Sequence, residues 1–539
     1  MSAPPDAGRR QRTSPAMGGV ARGSSANLLG AVVMAACTFA LTIVVTRGLS
    51  QQAAGIFFSA TSLFVLATTV GQLGTNTGLV YFISRVRALG RPSAVADYYR
   101  TAMRPVLATA VVMAVAMYAF AYPLAAVVTP GHVEETASYL RILAFFVPLA
   151  GSANVTLAAT RGLGTMRPNV VVEQLVRPVL QLLLVVTAVI ILPSSGALAW
   201  AWASPYLSAA ILAAIWWRRL LRRMIRRSDG ASTAGLTKAS DEPNGAAGQG
   251  PAVPEELSLS REFWRFTAPR ALASVGQMAM QRLDIILVAA IAGPAEAAVY
   301  TAATRFLVVG QMGNRAISLA VQPRLGAALA QSRLADANHY YRTSTAWLIT
   351  IAWPLYLVFI VFGSLLLTIF GTDYSTGVSV LLLLSLSMLL ATGCGMVDMV
   401  LNMAGRTSWN LYNVLLSVGV QLTLCVVLIP RMGILGAAIA WAVAIALSNL
   451  VPLAQIGLTM GLHPFGRAPL IAAALSLVCF AGVGLAGRLV LGTTLTGLVV
   501  SLAVGVSLYL PALWFFRRPL ELGALRDLRA GKRRRASVG

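Results

Sequence analysis

Residues 268–292 read APRALASVGQMAMQRLDIILVAAIA, a mostly apolar run long enough to cross the roughly 30 Å hydrocarbon core of a bilayer as one helix. The run is not uniform. Arg270, Ser274, Gln277, Gln281 and Asp284 follow one another by steps of 4, 3, 4 and 3, a period that places all five on one helical face. The stretch therefore predicts a membrane helix with a polar stripe. Asp284 lies deep in the run, where an ionisable side chain carries either a functional site or a structural ion pair.

Thirteen further segments of this kind flank it, giving predicted spans at 27–48, 54–75, 104–128, 139–160, 169–192, 196–217, 268–292, 297–320, 345–370, 377–403, 408–429, 433–457, 468–488 and 493–515. Over the 539 residues, 57% are apolar and 11% charged, against roughly a quarter charged in ordinary soluble domains. A soluble enzyme is excluded, and an all-α membrane protein of fourteen transmembrane helices is expected. The net charge of +24 would point to nucleic acid in a soluble chain, but its placement argues against that partner. Arg9, Arg10, Arg12 and Arg22, the cluster Arg218 to Arg227 and the run Lys532 to Arg535 all stand beside apolar segments, as positive-inside charge does. Arg85, Arg87, Arg100, Arg161, Arg167, Arg324, Arg333 and Arg342 fall on the same side, so both termini are expected in the cytoplasm. Only Lys238 and Lys532 accompany the many arginines, a bias that points to a GC-rich bacterial gene and hence to the bacterial plasma membrane.

The composition divides the chain into a tail (1–24), a first lobe of six helices (25–217), a basic and flexible linker (218–262), a second lobe of six (263–458), two extra helices (466–515) and a basic tail (516–539). The lobes echo one another. ADYYRT at 96–101 returns as NHYYRT at 338–343, LGTMRPN at 163–169 faces AGRTSWN at 404–410, and VGQLG at 70–74 faces VGQMG at 309–313. Six helices per copy is an even number, so the copies insert in the same orientation, in a pseudo-twofold arrangement with a cleft between them.

The stretch 265–306, with VQPRLGAALA, FGTDYSTGVSVLLLLSLSMLL, VLIPRMGILGAAIAWAVA and, in the first lobe, TRGLSQQAAGIFFSATSLFVL and RILAFFVPLAGSANVTLAATRGLGTMRPN, resembles the oligosaccharide flippase and polysaccharide-exporter branch of the multidrug/oligosaccharidyl-lipid/polysaccharide superfamily. The resemblance spans nearly all of residues 25–515 and rests on diffuse Gly, Pro and Tyr landmarks. It implies a secondary transporter rather than an enzyme, turning a lipid-linked oligosaccharide or related cell-envelope precursor across the membrane by alternating access. Membrane lipids and polysaccharide-assembly enzymes are the partners it implies. It also places an acid near Asp284.

A pyrophosphate-linked sugar needs a polar path, because an isolated ion in hydrocarbon costs tens of kcal/mol in the Born limit. Arg305 and Arg282 are candidates to hold the pyrophosphate, since planar guanidinium suits bidentate phosphate bonds, and Gln277 and Gln281 are candidates to line the cleft beside them. Two residues along a helix turn about 200°, so Arg282 is expected to point away from the Asp284 face. Asp284 and, four residues apart from Asn402, Asp398 are candidates to couple transport to a proton or sodium gradient; no other cofactor is expected. Snorkelling accounts for Arg47, and an intrahelical pair for Glu173 and Arg177. Asn410, Asn413, Ser417 and Gln421 either line the cleft or join helices, and Pro269, Pro323 and Pro354 are candidate bending points.

Other signals carry no chemistry. Cys37, Cys394, Cys425 and Cys479 sit in apolar runs without metal spacing, and Gly482, Gly484 and Gly487 match a dinucleotide fingerprint inside a membrane span. Two rival readings remain. A cation-coupled multidrug exporter would favour an acidic cleft, and a membrane glycosyltransferase or polymer ligase would need a larger outer loop than residues 129–138 provide.

Overall fold

The computed structural model describes residues 16–89, 93–191, 194–236 and 256–523, which are almost wholly helical and contain no strand. The first half comprises α1 (Ala16–Gly48), α2 (Gln51–Gly71), α3 (Thr75–Ala88), α4 (Ser93–Ala119), α5 (Ala121–Val128), α6 (Val133–Ala144), α7 (Val147–Gly162), a π-helical stretch (Asn169–Val176) running into α8 (Arg177–Ile191), α9 (Ser195–Ala203) and α10 (Pro205–Leu236). The second half comprises α11 (Glu256–Ile291), α12 (Pro294–Ala330), α13 (Leu334–Leu367), α14 (Val378–Gly393), α15 (Val397–Met403), α16 (Thr407–Met432) and α17 (Ile434–Met460). Then follow α18 (Arg467–Ser476), α19 (Val483–Leu491) and α20 (Leu495–Phe515).

Among the described residues twelve helices are long and apolar enough to cross a membrane, or thirteen if α6 and α7, bent by 42° at their junction, form one span. The sequence predicts fourteen. The remaining segment, 297–320, lies inside α12, where Arg305, Gln311, Asn314 and Arg315 interrupt the apolar run. That helix packs against α2, α13 and α14, so Arg305, which is half-buried, has protein rather than lipid beside it.

The linker predicted at 218–262 is shorter than its composition suggests. Residues 218–236 complete α10 and 256–262 open α11, while 237–255 lie outside the described residues. The arginine cluster alternates with Leu220, Leu221, Met224 and Ile225 without Gly or Pro, so an amphipathic helix continues through it, and Leu221 and Met224 pack on a core formed by Phe82, Trp217 and Phe263. Likewise α1 begins at Ala16, inside the predicted tail. After α20 the chain folds back: Leu520 is buried and its carbonyl accepts from Trp347 Nε1 at 2.9 Å. The basic residues at 9–12 and 532–535 lie outside the described residues.

Two of the three sequence echoes share local geometry. Tyr99 hydrogen-bonds Thr156 in α7 at 3.0 Å, and Tyr341 donates to the Cys394 carbonyl just after α14 at 2.6 Å. Gly164 and Gly405 hold the same second position of the two LGTMRPN-like stretches, at φ 79° and 78°. The third echo diverges. Leu73 (φ 49°) and Gly74 (φ 67°) break the first copy between α2 and α3, whereas the second copy runs unbroken through α12.

The halves meet along α2 against α11 and α12, and α1 against α12. Gly55 permits one close crossing, since a Cβ there would stand 1.7 Å from the Pro294 carbonyl oxygen. Arg47, at the same end, donates to the carbonyls of Ile369 (2.9 Å) and Thr368 (2.5 Å) past the end of α13, so it ties the halves together rather than only snorkelling. In α13 the irregular residue is Phe362 (φ −111°, ψ 18°), not Pro354. Pro354 lacks the N–H that would bond Thr350, and Tyr509 of α20 donates to that carbonyl at 3.0 Å; Arg488 of α19 donates to Val361 at the irregularity, also at 3.0 Å. The two extra helices thus supply donors to carbonyls that a bent helix leaves free.

Candidate functional site

A cavity of about 620 Å³ opens within the first half and is closed on one side by α11 and α12 of the second. Thr38 and Thr42 of α1, Thr61, Thr68 and Thr69 of α2, Gln72 and Asn76 at the α2–α3 break, and Asn154 and Arg161 of α7 form its polar wall, with Asn169, Glu173, Arg177 and Gln181 beyond. Ser274, Gln277, Gln281 and Arg282 enter from α11 and Arg305 from α12. The α2–α3 break places polar groups there because the chain leaves helical geometry at Leu73. Asn76 Nδ2 donates to Gln72 Oε1 at 2.7 Å across the break, and Asn76 Oδ1 is buried with no bonding partner.

Charge in this wall is one-sided. Among the described residues of the wall, Arg161, Arg177, Arg282 and Arg305 face a single acid, Glu173, for a formal charge of +3. Glu173 is already committed, accepting from Arg177 at 2.7 Å in the pair its spacing predicts, and Arg177 also donates to Gln181 at 3.2 Å and lies 5.1 Å from the Tyr206 ring centre. Gln181 is in turn held by the Trp202 carbonyl at 2.8 Å. Arg161, Arg282 and Arg305, all half-buried, make no hydrogen bond or ion pair to a described residue, and the Nε of each is buried without a partner. Ser274, Gln277 and Gln281 are exposed to the cavity and likewise bond no described residue. Such a wall offers guanidinium and amide donors to an anion that brings its own acceptors.

Of the residues predicted from sequence, Arg305, Arg282, Gln277 and Gln281 therefore converge on one cavity. The expected orientation of Arg282 and Asp284 is reversed. The wet face of α11 centres on Ser274 and Gln281; at about 100° per residue Arg282 falls roughly 80° to one side of Ser274 and Asp284 roughly 80° to the other. Neighbouring helices cover the second flank. Asp284 is 3% exposed and lines no part of the cavity; its carboxylate accepts from the Tyr300 hydroxyl and its neighbour's Ile285 N–H, both at 2.8 Å. Asp398 is exposed at the start of α15, outside the cavity, and pairs with no described residue. Arg270 lies in a neighbouring cavity. The polar row of α16 joins helices: Asn413 and Gln455 exchange amide bonds at 2.8 and 3.1 Å, and Gln421 donates to the Met280 carbonyl at 3.2 Å.

Sequence reasoning missed Arg161, treated as a loop charge, and the pair Gln72 and Asn76. The apolar run of α7 extends through Gly162, a signal that Arg161 belongs to the helix. No comparable signal marks the α2–α3 break.

The sequence matches the family described as "Polysaccharide biosynthesis protein" over residues 20–328. The chain belongs to that family. This polysaccharide biosynthesis family protein also matches MatE over residues 269–427, and its place is in the multidrug/oligosaccharidyl-lipid/polysaccharide superfamily of transporters. No curated protein sequence matches it. Its fold is shared with the lipid II flippase MurJ in an inward closed conformation (TM-score 0.66, 12% identity, over 93% of this chain and 99% of that one). It is shared too with an inward-facing multidrug resistance MATE family transporter (0.59, 16%, 81% and 98%). A third is a superfamily transporter from Pyrococcus furiosus, described as having a binding pocket of reversed polarity (0.54, 16%, 83% and 96%).

Proposed function

We propose that this multi-pass membrane transporter is a flippase that turns the headgroup of a lipid-linked oligosaccharide, or a related cell-envelope precursor, across the bacterial plasma membrane by alternating access. One observation carries this reading: Arg161, Arg282 and Arg305 face a cavity whose only acid among the described residues, Glu173, is already paired. Three guanidinium groups with no hydrogen-bonded acid replace the water that a pyrophosphate would lose in oil. A cationic drug would meet repulsion in the same place. The lipid tail stays in the bilayer while the headgroup swings past α11 and α12. The polysaccharide family match and the fold shared with a lipid II flippase support the same cargo class.

Coupling to a proton or sodium gradient is assigned to Asp284, which Tyr300 holds one helix turn from the cavity wall. Asp398 is the second candidate. The two halves rock as six-helix lobes, the termini lie in the cytoplasm, and polysaccharide-assembly enzymes supply and consume the cargo. The test is reconstitution in vesicles with a fluorescent polyprenyl-pyrophosphate oligosaccharide, scoring headgroup accessibility on each face. Transfer that depends on Arg305 and ignores cationic drugs is expected; transport of such drugs without flipping would overturn the reading in favour of an exporter.

A further inference from the structure

The main cavity does not end at Arg161 and Asn76. Both residues also line a second cavity of about 900 Å³, which lies between α3 and the first turns of α11 and carries Tyr81, Ser84, Arg85, Phe266 and Arg270 in its wall. At its centre is a stack of three groups. The Tyr81 and Phe266 rings lie 4.5 Å apart and 18° from parallel, and the Arg270 guanidinium sits 3.7 Å from the Phe266 centre, fixed there by a 2.8 Å bond to the Phe266 carbonyl. Tyr81 is the open tier, 46% exposed.

Arg85 is paired with Glu262 at 2.8 Å and Arg270 is stacked on Phe266, which leaves Arg161 as the cation of this wall without a described partner, beside a flat ring edged by the Ser84 hydroxyl and the Asn76 amide. A pyranose ring has the matching chemistry, because its C–H face meets the electron-rich face of an aromatic ring while its hydroxyl rim bonds polar side chains.

We propose that this second cavity is a glycan subsite: Phe266 and Arg282 are 16 residues apart on α11, about 24 Å at 1.5 Å per residue, so a sugar several units out along the cargo stacks on Tyr81 while the pyrophosphate rests on Arg282 and Arg305. The inference depends on the flippase reading above and adds a division of labour to it. Ser84 and Asn76 stand at that sugar's rim, and Arg161, shared by both cavities, lies on the path of the glycan between them.

The test uses the full chain in lipid nanodiscs, titrated with a bare polyprenyl pyrophosphate, the same lipid bearing an oligosaccharide of about five sugars, long enough to cover the span along α11, and a neutral polyprenol. The wild type is expected to bind the glycosylated lipid about tenfold more tightly than the bare one, the scale of one aromatic contact. Tyr81→Ala removes that preference without changing affinity for the bare lipid, and Tyr81→Phe, which keeps the ring, retains it. Equal wild-type affinity for the two pyrophosphates overturns the glycan subsite, as does equal weakening of both by Tyr81→Ala; either result leaves the flippase reading standing. Failure of both to exceed the polyprenol overturns the flippase reading and the subsite with it.

Discussion

The stretches VGQLG and VGQMG occupy matching places in the two halves yet adopt different backbones. In the first half Leu73 and Gly74 take positive φ and split α2 from α3; in the second, Gly313 sits inside the 37-residue helix α12. The break turns Gln72 and Asn76 into the cavity, whereas the unbroken helix contributes Arg305. One half thus supplies polarity through an interrupted backbone and the other through a charged side chain on regular helix. The same sequence signature need not fix the same local structure, because the neighbours of each copy decide whether leaving the helix is tolerable.

Substituting the paired glycines should give the largest contrast. In Gly74→Ala a Cβ would meet the Ala271 backbone nitrogen at 2.5 Å on a residue held at φ 67°, so a loss of roughly 3 kcal/mol is expected. At Gly313 the added Cβ meets only the Ile351 side chain, at 2.9 Å, and the gain in helix propensity offsets part of that contact, leaving about 1 kcal/mol or less. Thermal unfolding in detergent separates the two; equal midpoints would erase the distinction. Next, Arg305→Ala should weaken binding of a polyprenyl pyrophosphate by about 10- to 100-fold, as expected of a charge-assisted bond, while Asn76→Ala changes it by only a few-fold. Isothermal titration compares them directly, and an Asn76 effect as large as that of Arg305 would reverse the assigned roles.

Asp284→Asn tests coupling. The amide cannot carry the carboxylate's charge, so flipping in vesicles should persist down the cargo gradient but lose its stimulation by an imposed proton or sodium gradient. Unchanged stimulation would clear Asp284 of that role. The smallest effect is expected at Arg47→Gln, which removes the charged donor from the Thr368 and Ile369 carbonyls: a shift of about 1 kcal/mol toward opening at that end, read as a longer spin-label distance between α1 and α13.

Membrane spans were legible because a bilayer demands about 20 apolar residues in succession, and only α12, shielded by its neighbours, escapes that demand. The cavity was legible in part. Period alone brings Ser274, Gln277 and Gln281 together, but which flank is wet depends on what packs beside α11, so Arg282 and Asp284 exchange places. α3 reads as a connection on account of Arg85 and Arg87, although Leu79, Phe82, Ile83 and Val86 are buried at helical spacing. The break at Leu73 has no local cause in sequence, since the equivalent stretch stays helical.

The bonds from Tyr509 and Arg488 to α13 have a mechanical consequence. Sliding or straightening α13 against its C-terminal partners would strip two carbonyls of their donors in hydrocarbon, at several kcal/mol for each. α13 and α18 to α20 should therefore travel as a single strut in the alternating-access cycle proposed above.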